Sequence, residues 1–347
     1  MARRKNLFLT ESRWAPRRIL RAAAYVVLLL VLCGGSWLAY FATRPISVAP
    51  GNRTFAIEPG RNLREVAVQF AKDDLVSDPW SFIVLARLTR TGSDLKAGSY
   101  SVGADISPYR LLKKIVRGEF AMASVQFIEG WTFLQMRAAL DRHPAVRHEL
   151  RDASMETILE RLQISELSAE GLFFPDTYQF SAGTSDLTIL RQANLKMRQL
   201  LAAQWEKRAS ALPLASPYEA LILASIVEKE AGRRDEHGKV ASVFINRLKR
   251  GMRLQTDPTV IYGLGAKFDG NLRRKDLTTD NKYNTYMRGG LPPTPIAMPG
   301  EASLAAVMNP AAGNALYFVA RGDGSHQFST NLSDHNRAVD KYQKSRK

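Results

Sequence analysis

Cysteine is almost absent from this sequence of 347 residues, and the single one, Cys33, lies inside an uncharged apolar run. The chain after that run therefore has no thiol nucleophile and can form no disulfide. It must fold by its hydrophobic core alone, which suits a segment of this length. Histidine is also rare, and the five histidines form neither an HExxH motif nor a cluster at metal-ligand spacing. We therefore expect no metal and no cofactor.

Several other motifs are missing. The glycines form neither a GxGxxG pattern nor a P-loop, and no GxSxG elbow occurs. Acidic residues are in the minority, with 33 against 49 Lys and Arg, which gives a net charge of +16. This balance favours an anionic neighbour, such as nucleic acid, anionic lipid or an acidic cell-wall glycan.

One long apolar run is present. Residues 22–42 carry no charge and follow a basic head, residues 1–21. At about 1.5 Å per residue, the run matches a hydrocarbon core of roughly 30 Å. Trp37, Tyr40 and Phe41 lie near its far end, where aromatic rings favour the membrane interface. A cleaved signal peptide is the alternative, but the long basic head, the length of the run and the lack of a clear A-x-A site favour an uncleaved transmembrane helix.

The charges beside this run predict its orientation. Arg17, Arg18 and Arg21 precede it, whereas Arg44 alone follows it closely. Because positive residues stay on the cytoplasmic side, we expect a cytoplasmic N-terminus and a single pass, with the rest of the chain outside the cytoplasm. Nucleic acid is then excluded as a partner.

The exported part is predicted to be α+β. After a linker at 43–51, residues 52–120 show a β-α-α-β-α pattern, with Asn62, Asp78 and Ser107 as helix N-caps and Gly118 as a helix end. This order resembles a LysM-like module, a fold often associated with binding of glycans that contain N-acetylglucosamine. A structural module without a sugar site is the alternative.

Residues 121–347 are predicted to form a second, mixed α+β domain. Helices are expected at about 186–208, at 217–231 and over "KVASVFINRLKRG", with a hairpin from "ALYFVA" and "HQFST". The segment "EGLFFPDTYQF" is expected to be extended in a cleft or core, and "AGRRDEHGK" to be a surface loop.

Two glutamates end the predicted helix 217–231. At about 100° per residue, Glu230 lies near the centre of the apolar arc of this helix, whereas Glu228 points roughly 160° away and is expected to be exposed. Burial and the helix C-terminus should both raise the pKa of Glu230, as a general acid requires near neutral pH. The alternative is a core-facing acid neutralised by an arginine, Arg247 or Arg253.

Several long motifs resemble one family. "ASIVEKEAG", "KVASVFINRLKRGMRLQTDPTVIYGLG", "YNTYMRGGLPPTPIAMPG" and "HQFSTNLSDHN", with "EGLFFPDTYQF" upstream, are similar to the YceG-like family, whose characterised members are the MltG endolytic murein transglycosylases. The resemblance covers about residues 45–345, together with the single N-terminal span. It implies that 121–347 is a YceG-like catalytic domain and that the second glutamate of VEKE, Glu230, is the catalytic residue.

The resemblance implies a lytic transglycosylase, a carbon–oxygen lyase acting on peptidoglycan. Such an enzyme cleaves the MurNAc-β-1,4-GlcNAc bond of nascent strands without water and leaves 1,6-anhydro-MurNAc ends, with Glu230 acting first as acid and then as base. It further implies that the chain terminates strand elongation near peptidoglycan synthases, with its anchor in the inner membrane and its catalytic domain in the periplasm. Two alternatives remain: a hydrolytic muramidase using Asp257 or Asp176 as second acid, and a non-catalytic peptidoglycan-binding scaffold.

The candidate substrate-binding residues offer the amides, hydroxyls, carboxylates and ring faces that suit carbohydrate: Gln255, Asp257, Tyr283, Asn284, Thr285, Tyr286 and Glu228, with Thr256 beside them. Asp257 before Pro258 can instead cap a helix. Tyr283 and Tyr286 can instead be core aromatics. His326 either lines the cleft or lies on a strand surface.

Overall fold

A computed structural model describes residues 15–46, 53–103 and 105–344 of the chain. The chain divides into two compact units, Met1–Ala121 and Met122–Lys347. Secondary structure is mixed α and β, as predicted, and each antiparallel sheet joins two strands of one unit. Most of the predicted basic head and of the predicted linker lies outside the described residues.

The N-terminal unit consists of one long helix followed by a β-α-α-β-α arrangement. Its elements are α1 (Ala15–Thr43), β1 (Arg53–Ile57), α2 (Leu63–Lys72), α3 (Pro79–Leu88), β2 (Gly98–Val102) and α4 (Pro108–Arg117). The two strands pair antiparallel, with Phe55 opposite Tyr100. The predicted order of elements after the apolar run is confirmed, whereas the LysM-like assignment stays a prediction.

Local sequence explains where these helices begin and end. The Asn62 side chain accepts the backbone N–H of Glu65, and the Glu65 carboxylate accepts the backbone N–H of Asn62, which forms a capping box for α2. Asp78 and Ser107 cap α3 and α4, and a proline follows each of them. Gly118 ends α4 at φ +71°, a left-handed conformation that glycine adopts without steric cost. The predicted caps are confirmed.

Helix α1 contains the apolar run. Its segment Arg18–Thr43 is long and apolar enough to cross a membrane. Most of its large apolar side chains are exposed, but Phe41, near the C-terminal end, is buried in the core of the N-terminal unit. The apolar helix is therefore continuous with the folded module that follows it.

The C-terminal unit is larger and mostly helical. Its elements are β3 (Met122–Gln126), α5 (Phe133–Asp141), α6 (Met155–Leu162), β4 (Thr177–Ser181), α7 (Asp186–Glu206), α8 (Pro217–Glu230), α9 (His237–Lys249), α10 (Asp257–Leu264), α11 (Arg274–Thr278), α12 (Glu301–Met308), β5 (Tyr317–Ala320), β6 (His326–Ser329) and α13 (Leu332–Val339). Strand β3 pairs antiparallel with β4, and β5 with β6. The predicted helices and the terminal hairpin are present, with ends shifted by one or a few residues.

Helix α8 lies at the centre of this unit. Ser216 caps it and Pro217 occupies its first turn, so its start follows from sequence. Every side chain from Ala220 to Val227 is buried, in contact with α7, α9, α10 and α12. Beyond this buried stretch, the last turn of α8, residues 228–230, reaches polar surroundings.

Two local predictions are wrong. Glu228 is not fully exposed, because α12 covers it: its Oε2 accepts the backbone N–H of Gly300 (2.9 Å) and the hydroxyl of Ser303 (2.7 Å). The segment "AGRRDEHGK" is not simply a surface loop, since Glu236 and His237 are buried at the start of α9. In both cases the covering residues are distant in sequence, so helical periodicity could not reveal them.

Candidate functional site

Glu230, the last residue of α8, lies on the wall of a groove of about 520 Å³ in the C-terminal unit. The groove is lined by the end of α8, the segment before α10, the β5–β6 hairpin and α13. Glu230 is half-buried. Burial raises the pKa of its carboxyl, because desolvation disfavours the charged form, and the nearby charge of Asp257 acts in the same direction.

The contacts of Glu230 orient it without neutralising it. The hydroxyl of Thr256 donates a hydrogen bond to Glu230 Oε1, and this bond and the charge of His326 partly offset the rise in its pKa. Among the described residues, no arginine or lysine forms an ion pair with Glu230. The alternative of a core acid paired with Arg247 or Arg253 is therefore not observed, and the Glu230 carboxyl faces the groove.

Arg247 holds the loop beside Glu230 instead. Its Nε donates to the carbonyl of Leu316 (2.7 Å), and its Nη1 donates to the carbonyl of Leu254 (2.7 Å). The next residue, Gln255, has φ +51°, a strained conformation for a residue with a side chain. The backbone N–H of Gln255 donates to the carbonyl of Thr285 (3.2 Å), which helps to hold this conformation. Such strain is common at functional loops.

Three of the predicted substrate-binding residues, Gln255, Asp257 and Tyr286, line the groove together with Glu230. The Tyr286 hydroxyl donates to Asp257 Oδ1 (2.6 Å), and burial together with this contact raises the pKa of Tyr286. Asp257 is the first residue of α10 rather than its cap, because Thr256 occupies the N-cap position. These side chains give the groove donors and acceptors beside one ring face.

The other four predicted substrate-binding residues are not among those that line the groove. Asn284 is buried, and its amide donates to three backbone carbonyls. The buried hydroxyl of Thr285 accepts the backbone N–H of Thr256 (3.1 Å). Tyr283 packs edge-on against a neighbouring tyrosine, with 4.9 Å between ring centroids, and Glu228 faces α12. Their positions favour structural roles for all four.

A carboxylate–imidazole pair joins the start of α9 to strand β6. Glu236 is buried; its Oε2 lies 2.7 Å from His326 Nδ1, and its Oε1 accepts the backbone N–H of His326 (3.1 Å). His326 lines the groove, so one of its two predicted positions is confirmed. Sequence reasoning missed Glu236, because it lies in a charged segment whose burial depends on the β5–β6 hairpin.

A second carboxyl with a perturbed pKa lies outside the groove. Glu170 is buried, and its oxygens accept the backbone N–H of Phe133 (3.0 Å) and the hydroxyl of Tyr262 (3.1 Å). Burial raises its pKa to about 7. The apolar residues "GLFFP" that follow Glu170 are the sequence signal that could have indicated a buried acid. Asp176, the other candidate second acid, pairs with Lys196 and is not among the residues lining the groove.

Asp141, His148 and Asp186 are the described residues whose ligand atoms come within 4.8 Å of one another, as a metal site would require. The Asp186 carboxylate already accepts the backbone N–H groups of Glu149 and Leu150. These hydrogen bonds join α7 to the segment before α6, so the carboxylate of Asp186 has a structural role.

Comparison with known proteins places this geometry in a family. The sequence profile of the YceG-like family matches residues 55–341. The endolytic murein transglycosylase of Bacillus subtilis is 29% identical over 303 residues, which cover 82% of this chain and 83% of that protein. The endolytic murein transglycosylase of Streptococcus pneumoniae is 27% identical; the match covers 91% of this chain and 64% of the longer relative.

A solved structure supports the same family assignment. The crystal structure of a YceG-like protein from Listeria monocytogenes is 27% identical, covers 82% of this chain and 98% of its own, and superimposes with a TM-score of 0.51. With a family profile that spans most of the sequence, the chain belongs to the YceG-like family.

Proposed function

We propose that this protein is an endolytic murein transglycosylase, a lyase that cuts within peptidoglycan strands. The observation that carries the proposal is the half-buried carboxyl of Glu230, whose raised pKa and lack of a cationic partner among the described residues suit a general acid in a polar groove. The names of the relatives support the same reaction class.

In the first step Glu230 is the acid. Since the Thr256 hydroxyl donates to Oε1, Oε2 carries the proton and transfers it to the oxygen of the MurNAc-β-1,4-GlcNAc bond. The bond from that oxygen to C1 of the muramic residue then breaks, and positive charge develops at C1. The GlcNAc portion leaves with the new hydroxyl, and Glu230 is now ionised.

In the second step the same carboxylate is the base. It accepts the proton of the C6 hydroxyl of the muramic residue as O6 bonds to C1. This closes a 1,6-anhydro ring, consumes no water and returns Glu230 to its protonated state. One carboxyl therefore serves both steps, whereas hydrolysis needs a second acid to activate water or to attack C1.

The groove offers groups that can hold the sugar during these steps. Gln255, Asp257 and Tyr286 are the proposed ligands of hydroxyls and acetamides. His326, held by Glu236, borders the same space. Its charge stabilises the ionised form of Glu230, which is the form that the second step requires.

The apolar helix α1 supports a proposed location for the enzyme. We propose that Arg18–Thr43 anchors the chain in the inner membrane by a single pass, with the N-terminus in the cytoplasm and the rest in the periplasm. A catalytic domain tethered in this way reaches nascent strands close to the membrane, near the peptidoglycan synthases that extend them. Cutting there would terminate strand elongation.

The test is mass spectrometry of peptidoglycan strands incubated with the full-length protein in detergent. Fragments ending in 1,6-anhydro-MurNAc are expected from the native chain and from the control Glu206→Gln, an exposed change at the end of α7. With Glu230→Gln their rate of formation should fall by about 10²- to 10⁴-fold. Anhydro ends formed by Glu230→Gln at the native rate would overturn the assignment of the acid.

A hydrolytic muramidase is the second candidate, because Asp257 lies in the same groove as Glu230. It predicts reducing MurNAc ends that incorporate oxygen from labelled water. A non-catalytic scaffold predicts retention of the protein on sacculi with no release of soluble fragments. The same mass spectra separate these outcomes.

A further inference from the structure

Helix α3 of the N-terminal unit carries an exposed stripe of apolar side chains. Trp80, Val84 and Leu88 are 61%, 45% and 69% exposed. Their spacing of four residues places them on one face of the helix. The opposite face of the helix is buried in the core of the unit. An exposed apolar face of this kind marks an interaction surface.

The α3 stripe lies beside the membrane-spanning helix. The indole N–H of Trp37 on α1 donates to the hydroxyl of Ser81, the residue next to Trp80 (3.3 Å). Trp37 lies five residues before the end of the apolar run at Ala42, which corresponds to about 8 Å along a helix. The first turn of α3 therefore lies at the level of the membrane–water interface, close to the C-terminal end of the apolar run.

The charges around the α3 stripe suit phospholipid headgroups. The guanidinium of Arg64 lies over the Trp80 ring, 5.4 Å from its centroid. Residues 79–90 contain Arg87 and Arg90 and no acidic residue. Indole rings favour both membrane interfaces, and arginine guanidinium groups bind phosphate groups, which phospholipid headgroups carry in either leaflet.

We propose that the α3 stripe lies in the bilayer interface. The β-α-α-β-α part of the N-terminal unit then rests on the outer leaflet and does not move freely above the anchor helix α1. This inference rests on the proposed function only through the membrane anchor. A seated unit would restrict how far from the membrane the chain can bind a glycan strand.

The test uses the full-length chain in phospholipid vesicles that contain lipids with a spin-label quencher near the headgroup or deep in the acyl chain. An environment-sensitive fluorophore is attached to native Cys33, or, in a Cys33→Ser background, to Val84→Cys or Leu88→Cys. Ala56→Cys is the control, since its exposed side chain lies on the face of β1 opposite the buried Phe55 and Ile57.

The probe at position 84 or 88 should shift to shorter wavelength in vesicles and be quenched most by the shallow label, while the probe at position 56 does neither. The probe at Cys33 should be quenched most by the deep label. If Cys33 is quenched but positions 84 and 88 are not, the seating is overturned and the anchor stands. If Cys33 is not quenched, the anchor and the seating both fail. A probe at position 84 could instead shift to shorter wavelength without being quenched by either lipid label, and the shift could disappear when the protein is diluted in the vesicles. That result would assign the stripe to contact with a second copy of the chain and overturn the proposal.

Discussion

The core of the N-terminal unit is built from rings and aliphatic side chains, whereas the core of the C-terminal unit also encloses charged groups. In the first, Phe55, Phe70 and Phe82 pack with ring centroids 5.1 and 5.4 Å apart, and the buried polar residues among those described are two serines. The second buries Glu170, Asp186, Glu236, His237 and Arg247.

This difference indicates that the first core mainly stabilises the fold, whereas the charged groups of the second core can also serve a reaction. An apolar core contributes free energy of folding by burial alone. Buried ionisable groups cost free energy unless they are paired, and they are common where a pKa must be shifted for function. The contrast predicts that substitutions in the core of the N-terminal unit alter stability, whereas substitutions around the groove of the C-terminal unit alter catalysis.

The largest effect is expected at Glu230. Glu230→Gln removes the acid and should lower turnover by about 10²- to 10⁴-fold, without lowering the thermal midpoint, because an amide is buried at less cost than a carboxylate. Glu228→Gln, two residues earlier, keeps an acceptor for Ser303 and should retain most activity. Turnover and thermal unfolding of both variants are measured together; equal losses of activity would remove the distinction between the two glutamates.

The next effect is on stability. Phe70→Ala deletes a fully buried ring at the centre of the N-terminal core and should destabilise that unit by about 3–5 kcal/mol. Hydrogen exchange resolved by peptide should show lost protection within 53–121 and native protection within 122–344. Phe70→Leu should have a smaller effect. Equal loss of protection in both units would show that they unfold together.

Glu170 should make the C-terminal unit less stable as pH rises. Its pKa is raised to about 7 from an ordinary 4.5, so the unfolded state loses its proton first. Stability is then full below about pH 4.5 and falls by up to about 3 kcal/mol as pH rises through 7. Glu170→Gln cannot ionise, so the variant should be more stable than the native chain at pH 8 but not at pH 4, as measured by denaturation with urea. A pH-independent difference would contradict this origin.

Thr256 is proposed to position Glu230. Thr256→Val removes the donated hydrogen bond but keeps the shape of the side chain, and should lower kcat roughly 10- to 100-fold. Because that bond lowers the pKa of Glu230, the alkaline limb of the pH–rate profile should also move to higher pH. Thr256→Ser retains the hydroxyl and should restore both. A fall in kcat with an unmoved pH limb would indicate a structural role only.

The smallest effect concerns His326. Its charge lowers the pKa of Glu230, so His326→Gln should move the alkaline limb of kcat/KM to higher pH, because the acid then keeps its proton longer. His143→Gln, a histidine that is not among the residues lining the groove, is the matched control. A limb that moves to lower pH, or moves equally in the control, would exclude this electrostatic coupling.

Much of the fold was predictable because its signals are local. The helix starts at Asn62, Asp78 and Ser107 each depend on a side chain and the two or three residues after it. The apolar run needed only length and the absence of charge. The direction in which Glu230 points also followed from residues within one helix, since periodicity is a property of consecutive residues.

The sequence by itself determined the order of elements, the apolar helix and the glutamate on the apolar face of its helix. Only the tertiary structure decided which polar side chains share the groove with it. Asn284 and Thr285 adjoin Tyr286 in sequence, yet their polar groups are used inside the protein. Thr256 bonds to Glu230, and His326, which Glu236 holds, lines the same groove; packing of the C-terminal unit brings these separate segments together.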